Sequence, residues 1–128
     1  MNFYTSNIEQ LTLNNPFFRQ VLFTDQHCQL VVMSLKAGEE IGAEVHNNVD
    51  QFFRIESGEA KFVIGNGEEH ILKADEVAIV PAGTRHNVIN TSTDKDLKLY
   101  TIYSPPNHPD GTIHKTKQEA MAAEQHEH

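Results

Sequence analysis

The feature that most constrains this chain is a series of short runs rich in β-branched, aromatic and alternating apolar residues, each cut off by a turn signal. The runs read as strands over Arg19–Thr24, Cys28–Leu35, Ala43–His46, Asp50–Glu56, Glu59–Ile64, Glu69–Leu72, Glu76–Val80, His86–Thr91 and Leu97–Tyr103. Between them stand Gly38, Asn47-Asn48, Ser57-Gly58, Gly65-Asn66-Gly67, Ala74-Asp75, Pro81-Ala82-Gly83 and the polar stretch from Thr91 to Asp96. Strands spaced this closely leave no room for crossover helices, so the fold class is all-β, an antiparallel barrel or sandwich. Gly65-Asn66-Gly67 supplies the positive φ angles of a tight hairpin and pairs its flanking strands as neighbours. Pro81-Ala82-Gly83 reverses the chain and returns His86 towards the barrel.

The ends differ from the middle. Residues 1–16 carry scattered apolar positions (Ile8, Leu11, Leu13) before the turn signal Asn14-Asn15-Pro16, and read as an arm packed on the barrel or on a partner subunit. Residues 17–104 form the single barrel. Residues 105–128 begin as a proline-rich strap and continue, from Lys115 to Gln125, with a helix-forming composition capped by Thr112 or Thr116. His126 and His128, with His114 less clearly so, belong to a polar tail of solvated side chains.

Charge narrows the class of partner. With 10 Lys and Arg against 18 Asp and Glu, the formal charge is -8, which opposes phosphate-backbone binding and points to a small molecule rather than nucleic acid. No apolar run approaches the ~20 residues of a membrane-spanning helix. Cys28 is the single cysteine, so no intrachain disulfide forms, and it reads as a buried strand residue. The chain opens without a basic segment followed by an apolar run, and a cytoplasmic location is expected.

Chemistry concentrates between Gly38 and Asn90. Glu44 and His46 lie two residues apart and project to one face of a strand, as potential metal ligands do. The spacing Gly38, five residues, Glu44-Val45-His46, four residues, Gln51, six residues, Gly58 resembles the first motif of the cupins. Asp75, five residues, Pro81-Ala82-Gly83, two residues, His86, three residues, Asn90 resembles their second, with Asp75 in place of glycine. This resemblance implies a double-stranded β-helix (jelly-roll) barrel with a short C-terminal helix. It also implies four ligands, Glu44, His46, Gln51 and His86, around one divalent metal ion. Where the cupins usually offer His, His, Glu and His, the carboxylate has moved to the first position and an amide takes the third. Two imidazoles, one carboxylate and one amide oxygen suit Mn, Fe, Ni or Zn. The same residue types, with Gln and Glu exchanged, occur in the cupin-like phosphomannose isomerases, and the chain is similar to small bacterial cupins of the mannose-6-phosphate isomerase-like group. Without a cation, an inward carboxylate is costly to bury or takes up a proton.

Periodicity proposes the surroundings. If Gln51 faces inward, so do Phe53 and Ile55, while Phe52, Arg54 and Glu56 face outward. An outward Phe52 beside Arg54 points to a second sheet surface or a subunit interface, and a homodimer is expected. Phe53, with Arg54 and Arg85 as cations close in sequence, is the candidate substrate pocket. One of Tyr100 and Tyr103 reaches the pocket and the other the exterior; Tyr100 is the candidate catalytic residue. Asp110 and His114, with His108, are candidate acid or base groups if the strap closes as a lid. His27 and His70 read as solvated, Gly58, Pro81 and Gly83 as structural, and Asn90 as tying down a turn.

Three activities fit. The first is Lewis-acid chemistry on a small polar, sugar-like molecule, of the kind an isomerase performs, although sugar phosphates want more Lys and Arg at the mouth. The second is an Fe(II)-dependent dioxygenase on His46, His86 and Glu44. The third is a non-catalytic module binding a small ligand.

Overall fold

The computed structural model describes residues 3–127, with side chains described through residue 124. The expected solvated side chains of His126 and His128 therefore lie outside the described residues. Among the described residues, nine strands form two antiparallel sheets: β1 (Arg19–Thr24), β2 (Gln29–Leu35), β3 (Asp50–Ser57), β4 (Glu59–Ile64), β5 (Glu68–Lys73), β6 (Val77–Val80), β7 (His86–Asn90), β8 (Leu97–Ser104) and β9 (Ile113–His114). The larger sheet runs β6-β3-β8-β2-β1-β9 and the smaller β5-β4-β7. Their inner faces meet in one core that includes Met33, Phe53, Ile55 and Leu99 from one side and Phe62 and Val88 from the other. The Phe53 and Phe62 rings meet edge to face across it, with centroids 5.1 Å apart.

Alternation along β3 is as the sequence predicts. Gln51, Phe53 and Ile55 are buried, while Phe52 and Arg54 lie on the other face and are half-exposed. The glycine turn at 65–67 joins β4 to β5, which pair in register from Glu59↔Lys73 to Ile64↔Glu68. Asp75, which stands where the second motif has glycine, adopts φ 72°. Asp tolerates this left-handed conformation better than most residues. Gly58 has no such latitude: a Cβ there would meet the Asp96 carbonyl oxygen at 2.8 Å.

Three expectations change. Residues 43–46 form no strand of their own. The segment from Gly38 onward instead runs along the free edge of β7, bonded through Gly38 N–Asn90 O, Ile41 N–Val88 O and Glu44 N–His86 O. The N-terminal arm contains a helix, α1 (Ile8–Asn14), which packs on β2, β3 and β8. Asn7 caps it: Asn7 Oδ1 accepts from Gln10 N, the pattern of a capping residue followed three positions later by Gln. The proline-rich strap ends in β9, paired with β1 through Arg19↔His114 and Gln20↔Ile113. The C-terminal helix α2 (Lys117–Glu127) begins after Thr116, which forms a reciprocal capping box with Glu119. No helix among the described residues is long and apolar enough to cross a membrane.

Candidate metal centre

Four side chains from three separate segments come together at one end of the barrel. Glu44 and His46 lie on the edge segment, His86 begins β7, and Gln51 lies near the start of β3. One potential ligand atom from each of Glu44, His46 and His86 lies within 4.8 Å of the others. The Pro81–Gly83 turn holds two of these segments together. Gly83 N donates to the His46 carbonyl at 2.8 Å, and Thr84 O accepts from His86 Nδ1 at 3.0 Å.

That last bond sets the chemistry of His86. A carbonyl only accepts, so Nδ1 carries the proton and Nε2 of the neutral ring presents a lone pair. Facing it at 3.2 Å is Gln51 Oε1, while Gln51 Nε2 donates to Thr101 Oγ1 at 3.0 Å. In this arrangement a metal ion would engage both the Nε2 and the Oε1 lone pairs. His46 repeats the pattern. Its Nε2 is buried and lies 2.7 Å from Glu44 Oε2, its one close polar neighbour. Ligand atoms of Glu44, His46 and His86 that converge within 4.8 Å of one another fit a site for a divalent ion, and the nitrogen and oxygen set fits a first-row metal. Burial pushes the Glu44 carboxyl up, but its contact with His46 and the charges of His46, Arg19 and His86 outweigh that and hold it below the ordinary carboxylate range.

Around the ligands lie Tyr103, one of the two tyrosines the sequence left open, and His108, one of its candidate acid or base groups. Tyr103 is buried, its ring edge-on to His46 at 6.1 Å between centroids. Burial raises its phenol well above the ordinary value, against the opposing charge of Arg19, so the hydroxyl stays protonated. His108 Nε2 lies 3.2 Å from that hydroxyl. Burial first, and then the Arg19 charge, push the imidazole down to about 3, so His108 is neutral. Gln29 anchors the strap here, accepting from Asn107 N and His108 N and donating to His108 O. A cleft of about 430 Å³ opens between Ala43–His46, Asn107, His108 and Glu124.

Other sequence candidates lie elsewhere. Tyr100 faces outward and packs against Phe52, with centroids 6.1 Å apart; alternation along β8 makes Tyr103 the inward tyrosine. Arg54 also faces outward, paired with Glu56 and Asp75, and Arg85 is exposed. Neither lines the cleft. Phe53 packs behind His86, edge to face at 6.0 Å, as a wall rather than a contact surface. Asp110 is exposed on the strap. His114 sits beside Arg19, 3.0 Å from its Nη1, so the terminal segment is pinned to β1 instead of closing as a lid over the ligands. The basic side chains at this end are Arg19 and Lys117, which donates to the Ile41 carbonyl at 2.6 Å. Both are remote from the motifs in sequence. The signal for Arg19 was its register, two residues from the buried Val21 on a strand.

The cupin domain model matches residues 31–103. The chain is 49% identical over 126 residues to the uncharacterized protein YrkC of Bacillus subtilis, covering 94% of this chain and 67% of YrkC. It is 46% identical over 112 residues to the uncharacterized protein L612 of Acanthamoeba polyphaga mimivirus, covering 86% of this chain and 70% of that protein. Among solved structures it is similar to BH2720 from Bacillus halodurans, with a TM-score of 0.90, 44% identity and 93% of each chain covered. With the two-sheet barrel and the ligand cluster at its end, these likenesses have one reading: the chain belongs to the cupin family.

Proposed function

We propose that this protein is a metal-dependent enzyme acting on a small polar, sugar-like molecule that offers two neighbouring oxygens to the ion. The observation that carries the reading is the convergence of Glu44, His46 and His86, whose ligand atoms lie within 4.8 Å of one another beside Gln51 at one end of the barrel. Glu44, His46 and His86 would hold the ion, with Gln51 as the fourth and weakest ligand. When bound, such an ion polarises a carbonyl and stabilises the charge left when a neighbouring carbon loses its proton.

The chain's own groups divide the remaining work. Tyr103, kept protonated, is a hydrogen-bond donor beside the ligands, suited to an oxygen that gains negative charge. His108, kept neutral with its proton on Nε2, donates to the Tyr103 oxygen and leaves the phenol O–H free for that role. We assign proton abstraction to Glu124, the carboxylate on the cleft wall outside the ligand set. The test is turnover of a panel of aldoses, ketoses and hydroxy acids by metal-loaded protein. Glu124→Gln should lower kcat by about 100-fold with metal content unchanged. A panel recovered unchanged from the wild-type protein would make the site a binding module instead.

A second reading follows from the ligand types, since two histidines and one carboxylate also make the facial set of Fe(II) oxygenases. Replacing Fe(II) by Zn(II) separates the two: oxygen chemistry is lost and Lewis-acid chemistry is kept. We further propose that the chain is a cytoplasmic homodimer joined through the outer face of β6 and β3. Ile79 there is 68% exposed and pairs with Phe52, and Val77 is 50% exposed.

A further inference from the structure

β6 is the terminal strand of the larger sheet, and among the described residues no strand pairs with its far side. Alternation says which groups it leaves free. Glu76 O accepts from Ile55 N on β3, so Ala78 and Val80, which share its orientation, also bond towards β3. Val77 and Ile79 then present their N–H and C=O groups to the open side. Proteins commonly blunt such an edge with a charge, often lysine, or with proline. Val77-Ala78-Ile79-Val80 contains neither. The side chains of Val77 and Ile79 are exposed on the outer face, and on the inner side a cleft of about 290 Å³ lies between β6 and Phe62, Ile64 and Leu72 of the smaller sheet. Asp75, in its left-handed conformation, and Pro81, which has no N–H, bound the open stretch at its two ends.

We propose that a second copy of this chain covers this edge, its β6 running antiparallel to the first about a two-fold axis at Ala78. The inference rests on the homodimer reading above and specifies which atoms join the copies. In this register Val77 of each copy stands opposite Ile79 of the other, and the two exchange both backbone bonds. Ala78 meets Ala78 on the axis as a non-bonded pair, with Cα atoms about 4.5 Å apart, where a small side chain fits. A slip of one residue would set free groups against groups already bonded to β3. The free pattern, read in reverse, is its own complement, which is what a two-fold contact requires. Charge points the same way. A basic partner, which the chain's net charge of -8 would favour, finds no charge on Val77–Val80, and the flanking Asp75 and Glu76 are already engaged, with Arg54 and with Lys73 N. In the self-pairing, Glu76 of one copy lies opposite Val80 of the other and Asp75 opposite Pro81, so no like charges are opposed. Val77 and Ile79 cover one another on the outer face, beside Phe52.

The test combines sedimentation with disulfide trapping of the full chain, with Cys28→Ser in every cysteine variant. Wild-type protein should sediment as a dimer. Ala78→Cys should form a covalent dimer under mild oxidant, because Cα atoms about 4.5 Å apart lie within disulfide reach. Ile71→Cys, exposed on β5, should stay a single chain on a non-reducing gel. Ile79→Pro removes an N–H that faces away from β3 and should weaken association at least about 30-fold, with metal content unchanged. A wild-type monomer overturns the homodimer reading and this inference together; if that monomer binds a labelled peptide of residues 76–80, the edge belongs to the strand of another protein. A wild-type dimer in which Ala78→Cys cross-links no faster than Ile71→Cys overturns the edge pairing alone and leaves the outer face as the contact. A folded Ile79→Pro variant that stays dimeric does the same, and if that variant does not fold, the Ala78→Cys result decides.

Discussion

Glu44 and His86 exchange both of their backbone hydrogen bonds, Glu44 N to His86 O at 2.8 Å and His86 N to Glu44 O at 2.9 Å. The two residues are therefore direct cross-strand neighbours, although Glu44 belongs to no regular strand. Residues opposed in this way hold their Cβ atoms about 5 Å apart, which brings a carboxylate and an imidazole to one point without help from side-chain packing. The backbone builds half of the ligand set before any ion arrives.

Gln51 depends on a different support. Thr101→Val removes the hydroxyl that fixes the Gln51 amide and leaves a buried N–H without a partner. It should destabilise the fold by about 1–3 kcal/mol and weaken metal binding by about 10-fold. Thermal denaturation and competitive metal titration check both, and a variant equal to wild type in each would show that Gln51 is not held in this way.

Acid should weaken the protein through His108. The unfolded ring titrates near 6.5 and the folded one near 3, under the influence of burial and of Arg19, Glu44, His114 and His46. Between these values the unfolded chain binds a proton that the folded chain refuses, so stability is intact above pH 6.5 and falls as pH drops towards 3. The slope is at most about 1.4 kcal/mol per pH unit, and less because the ring is partly exposed. In metal-free protein, His108→Gln should flatten this part of the denaturation profile. Parallel profiles for variant and wild type would contradict the assignment.

Association should depend on β6. Ile79→Glu places a charge on the most exposed apolar position of that edge and should shift sedimentation from dimer to monomer, with metal content unchanged. A wild-type monomer, or a variant that stays dimeric, would remove this face as the interface.

Much of the barrel was legible because its signals are local. Alternation placed Gln51, Phe53 and Ile55 inward, and the glycine and proline turns marked where strands reverse. Asn90 does tie down a turn: its side chain donates to Leu35 O and Lys95 O and accepts from Ser92 N. The edge segment misled because its pairing is interrupted. It touches β7 at single bridges, through Glu40↔Ile89 and Glu44↔His86, so a strand-like pattern yields no continuous ladder. The surroundings of the ligands were legible only in part, through His108 and the choice between Tyr100 and Tyr103. Glu124 reaches the cleft only when α2 is folded against the barrel, and an arginine on a strand, as Arg19 is, reads as solvated until its partners are known. Choosing Tyr103 over Tyr100 needed the register of β8 against β3, in which Gln51 stands opposite Tyr103.

The most direct test of the metal centre is elemental analysis of protein purified without an affinity tag or added metal, beside Glu44→Ala and His86→Ala. The account predicts one first-row divalent ion per chain in the wild-type protein and loss of that ion in both folded variants. A wild-type protein without stoichiometric metal, or a variant that keeps one ion per chain, would contradict it.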